Sequence, residues 1–151
     1  MFTFAAKIFH SFSPFTLVKR LQNFMSSSSF LHRCNELATK GFGNVAPNPM
    51  VGAVLVYNEK IIGEGFHEKF GGVHAEVNCI NSVSNENKKH IADSKLYVNL
   101  EPCCHTGKTP PCTDLILKNK IKHVVVGCVD SNEIVNGKGI ALLENAGVRV
   151  D

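Results

Sequence analysis

Nowhere in the 151 residues does an uncharged apolar run reach the ~18 residues that a membrane span needs. That excludes a spanning helix. No acid occurs in residues 1–24, which hold Lys7, Lys19 and Arg20. Setting those three aside leaves 13 basic against 13 acidic residues, so the net charge of +3 belongs to the N-terminal tail. A chain that grips a nucleic-acid backbone usually carries a clear basic excess, and the neutral remainder argues against an RNA or DNA partner. There is no internal repeat, no glycine-rich dinucleotide turn and no Cys-x-x-Cys pair. The six cysteines are spaced as a metal site with a few packing thiols, not as a secreted disulfide framework. A reducing, cytoplasmic location is expected.

What is present is enough for one domain with a real core. The composition, 44% hydrophobic and 19% charged, is that of an ordinary globular protein. Residues 1–24 differ in texture, holding six of the ten phenylalanines. Their lack of acids is shared with organelle-targeting segments. A mis-called start, with Met25 as the true first residue, is favoured, because a helix is expected just after Met25 and no small-residue cleavage site precedes it. The expected division is therefore an extension over 1–24 and a single domain over 25–151.

From Met25 the elements alternate. Ser26 to Ser29 can cap a helix in which Phe30, Leu31, Cys34, Leu37 and Ala38 share a face. Val51 to Tyr57 and Ile61 to Phe66 read as a hairpin across Asn58-Glu59-Lys60. Helices are expected from His74 and from about Cys112 to Asn119, with a polar insert from Ser84 to Ser94 and a strand from Leu96 to Leu100 between them. A buried strand from His123 to Cys128, a helix from Gly139 to Asn145 and a last strand from Val148 to Val150 complete the chain. Strands separated by helices predict a three-layer α/β/α domain with a mixed, roughly five-stranded sheet. Cys34, Cys79 and Cys128 sit in apolar stretches and are expected to be small core residues.

The chemistry gathers between His74 and Cys112. His74-Ala75-Glu76 opens that stretch; Glu101-Pro102-Cys103-Cys104-His105-Thr106-Gly107-Lys108-Thr109-Pro110-Pro111-Cys112 closes it. One imidazole and two thiols match zinc with three protein ligands, which leaves a position for water and marks the site as catalytic. A helix start at Cys112 favours the thiolate. Glu76, in the first turn beside His74, is placed to shuttle protons. Cys103 and Cys104 are adjacent, so only one of them is expected to reach the metal; Cys103, after Pro102, is the expected ligand. The opposing reading is a closed zinc site with Cys104 or His105 as fourth ligand, which leaves Glu76 without a purpose.

His-x-Glu with Pro-Cys is the mark of zinc deaminases, although their second thiol usually follows three positions on and here it follows nine. The run from Glu101 to Cys112 resembles the deaminase domain of the bifunctional riboflavin-biosynthesis deaminase–reductase. So do Asn44-Val45-Ala46-Pro47-Asn48-Pro49-Met50-Val51-Gly52-Ala53-Val54 and Gly71-Gly72-Val73-His74-Ala75-Glu76-Val77. The likeness covers about Phe30 to Val150. It implies a cytidine deaminase-like fold and a diaminohydroxyphosphoribosylaminopyrimidine deaminase. His74, Cys103 and Cys112 would hold Zn2+ and Glu76 would move protons. Asn48 and His67 would contact the base or ribose, His105 and Lys108 the ribose phosphate, and Asp130 and Asn132 would belong to a loop lining the pocket. Each of these six also has a plain reading as a turn residue, a surface group or a cap.

Two departures stand out. Asp130-Ser131-Asn132-Glu133 replaces a more usual Asp-Pro-Asn-Pro, and Asn136 stands where a small residue is common. The family also usually continues into a reductase, for which this chain shows no dinucleotide turn. A homo-oligomer, a separate reductase and a small phosphoribosylaminopyrimidine substrate are the expected partners, with no nucleic acid and no membrane. Deamination of another nucleobase, nucleoside or tRNA, and an inactive zinc-stabilised module, are the competing readings.

Overall fold

Asn58 and Glu59 both take positive φ, 48° and 59°, which is the twist a two-residue hairpin turn requires. They join β1 (Gly52–Tyr57) to β2 (Lys60–Phe66), antiparallel, with Tyr57 opposite Lys60 and a bulge between Leu55 and Val56. In this computed structural model residues 14–107 and 109–151 are described, with side chains from residue 27 onward. The other edge of β1 pairs antiparallel with β3 (Lys95–Val98), placing Val54 opposite Tyr97. β4 (His123–Val126) and β5 (Arg149–Val150) then add in parallel. The sheet order is β2-β1-β3-β4-β5, the mixed five-stranded sheet expected from the alternating elements.

Both faces are covered, which is why the central strands read as continuous apolar runs rather than alternating ones. On one face Cys34 and Leu37 of α1 (Pro14–Thr39) pack on Val54, Val56 and Tyr97. On the other face lie α2 (Ala75–Asn81), α3 (Cys112–Lys118) and α4 (Lys138–Asn145). Their Cys79, Ile80, Ile116 and Leu143 close over Ala53, Leu55, Leu96 and Val98. α2 approaches β2 so closely that a Cβ on Gly65 would meet the Cys79 nitrogen at 2.2 Å. That contact leaves room for glycine alone and seats the helix on the sheet.

Three expectations need correction. α1 does not begin after Met25: it runs unbroken from Pro14, and Ser26 to Ser29 lie inside it. Proline is well suited to a first helical turn, and serine inside a helix costs only about 0.5 kcal/mol, too little to force a break. Residues 1–13, the rest of the tail, lie outside the described residues. The polar insert holds a 3-10 helix, Lys88–Asp93, with Ile91 buried and His90 stacked on Tyr57 at 4.2 Å. A single apolar residue gives no periodicity to read. Cys128 is exposed rather than buried, because β4 ends at Val126 and the chain leaves the sheet there; its thiol donates to the Asn99 carbonyl at 3.2 Å. Cys34 and Cys79 are fully buried as expected, and burial pushes Cys34 up to about 12, in keeping with inert packing thiols.

Candidate active site

His74 ends a loop that is tied to the segment between α1 and β1. The His67 amide donates to Val51 O at 2.9 Å and the Phe70 amide to Asn44 O at 2.9 Å. His74 itself is extended (φ −76°, ψ 165°) and sits at the N-cap of α2 without capping it, so its ring is free for other partners. Within the first turn of α2, Glu76 is 3% exposed. Cys112 is the first residue of α3, after Pro111, whose fixed φ suits a helix entry. A first-turn amide has no partner within its own helix. The Cys112 amide therefore donates to Cys103 Sγ at 3.3 Å, and the Thr113 amide to Cys103 O at 3.2 Å. The start of α3 thus carries one sulfur and orients the other.

His74 Nδ1 lies 3.4 Å from Cys103 Sγ and 3.3 Å from Cys112 Sγ. Tetrahedral zinc, with bonds of about 2.0–2.3 Å, sets its ligand atoms roughly 3.3–3.8 Å apart. The residues fit. They form the one cluster of this kind among the described residues, and Cys104 and His105 are not in it. The two sulfurs differ, and the expectation that the start of α3 favours the Cys112 thiolate is corrected: Cys103 gives up its proton readily and Cys112 holds its own. The hydrogen bond from Cys112 holds the Cys103 thiol well below its usual range, the same contact and burial push Cys112 up, and Cys103 raises His74. Three donors that share protons this closely are poised to exchange them for a cation. Burial, with the Cys103 charge beside it, raises the Glu76 carboxyl above the usual carboxylate range. This environment suits a proton shuttle.

These groups open on a cavity of about 290 Å³ lined by His74, Glu76 and Cys103. Asn48, His67, His105, Asp130 and Asn132 line it too, so the fold collects most of the residues singled out in the sequence. Cys112 is buried and does not line it. Lys108 lies outside the described residues, though its neighbours Gly107 and Thr109 both line the cavity. His67 is buried rather than an exposed loop histidine. Its Nδ1 faces Val73 O at 2.9 Å, and a carbonyl can only accept, so the hydrogen is there. Nε2 then accepts from the Asn48 amide at 3.1 Å, while the ring stands edge-on to His74 at 5.6 Å.

Three residues escaped the sequence reading. Thr109 Oγ1 sits 3.5 Å from His74 Nε2. Asn99, just past β3, accepts from the Gly52 amide at 2.9 Å and donates to Met50 O at 3.3 Å, which steadies the segment bearing Asn48. Glu101, 4% exposed, points its carboxylate at the main chain of residues 130–140. The available signal was a charged residue between an apolar strand and Pro102-Cys103, where a charge needs a buried partner.

Residues 25–128 match the family model described as the cytidine and deoxycytidylate deaminase zinc-binding region. The chain is 42% identical over 126 residues to a diaminohydroxyphosphoribosylamino-pyrimidine deaminase of Buchnera aphidicola, covering 83% of each. It is 46% identical to the chloroplastic riboflavin biosynthesis protein PYRD of Zea mays, covering 83% of this chain and 31% of that one. Among solved structures, a deaminase/5-amino-6-(5-phosphoribosylamino)uracil reductase of Thermotoga maritima is similar at TM-score 0.77 and 48% identity, over 83% of this chain and 36% of that one. The chain spans about a third of the length of the longer relatives it matches.

Proposed function

The chain belongs to the family of the cytidine and deoxycytidylate deaminase zinc-binding region, and from that premise we propose that it acts in riboflavin biosynthesis. The reaction is hydrolytic deamination of 2,5-diamino-6-(5-phosphoribosylamino)pyrimidin-4-one to 5-amino-6-(5-phosphoribosylamino)uracil and ammonia. One observation carries the reading: a His74–Cys103–Cys112 cluster beside a buried carboxylate, in a chain that matches a relative of that name over 83% of both lengths.

His74 Nδ1 and the sulfurs of Cys103 and Cys112 hold the zinc. When bound, the metal supplies a water-derived nucleophile near neutral pH. Glu76 accepts the proton that the attacking water gives up and delivers it to the neighbouring ring nitrogen. It then carries the second proton to the amino group, which departs as ammonia. A carboxyl whose affinity for protons is raised by burial can perform both transfers. Asn48 and His67, already paired with each other, present polar atoms to the base or ribose. His105 and Lys108 are assigned to the ribose phosphate, and Asp130 and Asn132 to the loop that lines the cavity.

The same proposal takes 25–151 as the deaminase domain and 1–24 as an extension. It includes a homo-oligomer, a separate reductase and a cytoplasmic location. No described helix is long and apolar enough to cross a membrane. The experiment is ammonia release from a panel of the phosphoribosylaminopyrimidine, cytidine, dCMP and a tRNA. Release from the first alone is expected. Release from another member and not the first would make this a different deaminase; release from none would leave a zinc-stabilised module.

A further inference from the structure

We propose that Glu101 is a positioning residue for this reaction: its carboxylate clamps the loop from Asp130 to Gly137 over the cavity and ties it to the metal ligand two residues on. The inference rests on the deaminase reading, since it concerns how that site is assembled. Oε2 accepts from the Asp130 amide at 3.2 Å and from the Gly137 amide at 2.8 Å, so a single oxygen holds both ends of the loop. Oε1 accepts from the Gly139 amide at 2.8 Å and from Ile140 at 3.2 Å, in the first turn of α4. No ion pair of Glu101 occurs among the described residues; its charge is met by main-chain donors. The backbone is shaped to permit this. A Cβ on residue 139 would meet Pro102 O at 2.1 Å, so glycine there lets α4 reach the Glu101–Pro102 segment.

A cap alone does not explain the arrangement. Gly137 takes φ +83°, which a serine or aspartate would adopt only under strain, so α4 has no side-chain cap of its own at that position. The carboxylate instead comes from the exit of β3, and half of its hydrogen bonds go to the loop rather than the helix. Between the two clamped ends the loop presents Asp130, Asn132 and Val135 to the cavity. Apart from the clamp, the span is tied by short-range hydrogen bonds, among them the Asn132 amide to Asp130 Oδ1, the Ile134 amide to Asn132 Oδ1, the Val135 amide to Asn132 O and Lys138 Nζ to Glu133 O. Losing the clamp therefore loosens one wall of the substrate site and leaves His74, Glu76 and the sulfurs in place.

The test is Glu101→Gln in the zinc-loaded chain, beside Asp130→Ala. The amide retains one acceptor oxygen and turns two hydrogens toward donors that need none. KM for the phosphoribosylaminopyrimidine should rise about tenfold or more, with kcat within about threefold and zinc still one per chain. Amide exchange at Asp130 and Gly137 should quicken about tenfold or more. A purely structural Glu101 would lower the melting temperature with KM unmoved while Asp130→Ala raises it; that outcome overturns the proposal. Unaltered exchange at the two amides overturns it as well, whatever the kinetics. If Asp130→Ala leaves KM unchanged, the loop does not meet substrate and the clamp has no role in positioning. If wild type does not turn over this pyrimidine, the deaminase reading fails separately and the exchange measurement decides the clamp. Should Glu101→Gln fail to fold, Glu101→Asp, shorter by one methylene, is read by the same two measurements.

Discussion

The two walls of the cavity are built on different principles. One wall carries His74 and Glu76 at the start of α2, with Cys112, buried and outside the lining, opening α3; the bodies of both helices are sunk in the core through Cys79, Ile80 and Ile116. Asp130 and Asn132 lie in a loop that is largely exposed and holds only Val135 as a buried anchor. The first wall inherits its precision from helices packed on a sheet; the second is given its shape by one carboxylate. Reacting atoms need placement to a few tenths of an ångström, and rigid elements supply it. Substrate groups farther from the reacting carbon tolerate a loop, and a loop can vary without touching the chemistry.

The comparison is sharpened most by removing a ligand from the rigid wall. Cys103→Ser and Cys112→Ser should each lose the single zinc per chain and with it all measurable deamination, whereas Cys104→Ser keeps both. Metal analysis of the purified variants checks this, and an empty Cys104→Ser beside a loaded Cys103→Ser would show the wrong thiol to have been assigned. Next is Glu76→Gln, which keeps shape but cannot carry protons. It should fold and bind zinc while kcat falls by about 10²–10⁴-fold. Near-normal turnover would remove Glu76 from the chemistry and break the distinction between the walls.

On the substrate-binding side the effects should be smaller and should depend on the substrate. Lys108→Ala removes a charge-assisted contact to phosphate, typically worth about 1.5–3 kcal/mol, or roughly a 10- to 150-fold loss in kcat/KM. The loss should appear with the phosphorylated substrate and be nearly absent with the matching nucleoside. Equal loss with both would assign Lys108 to folding of the loop. The smallest effect is expected from the N-terminal extension. Deleting residues 1–24 should leave kcat/KM within about twofold, since no residue assigned to the site lies there. Because α1 runs on from Pro14, thermal melting is the discriminating measurement. A large drop would mean that the first half of α1 supports the core.

His74-x-Glu76, Pro102-Cys103 and Cys112 were legible in the chain because zinc chemistry demands particular atoms at helix starts, and residue type with spacing records that demand. The hairpin, the mixed sheet and the order of elements were legible for a similar reason. Turn residues and apolar periods are local properties, and a strand such as Val51 to Tyr57 declares itself within a few positions. Local signals also misled. Four serines looked like a cap but sit inside α1, since a weak preference does not stop a helix that already runs. Cys128 looked like core but falls just past the end of β4, and a strand's last residue is set by its pairing partner.

Only the tertiary structure decided which atom faces which. That His74 uses Nδ1, that His67 pairs with Asn48 nineteen positions away, and that Glu101 meets amides from Asp130 to Ile140 are contacts across the fold. The neighbours of Glu101 announce a buried charge in need of partners, but not which partners it finds. Its partners are main-chain amides, which every residue but proline carries. The sequence therefore determined the reaction's ingredients and the scaffold that holds them. The packed fold determined the shape of the pocket, because hydrogen bonds to backbone leave no trace in residue identity.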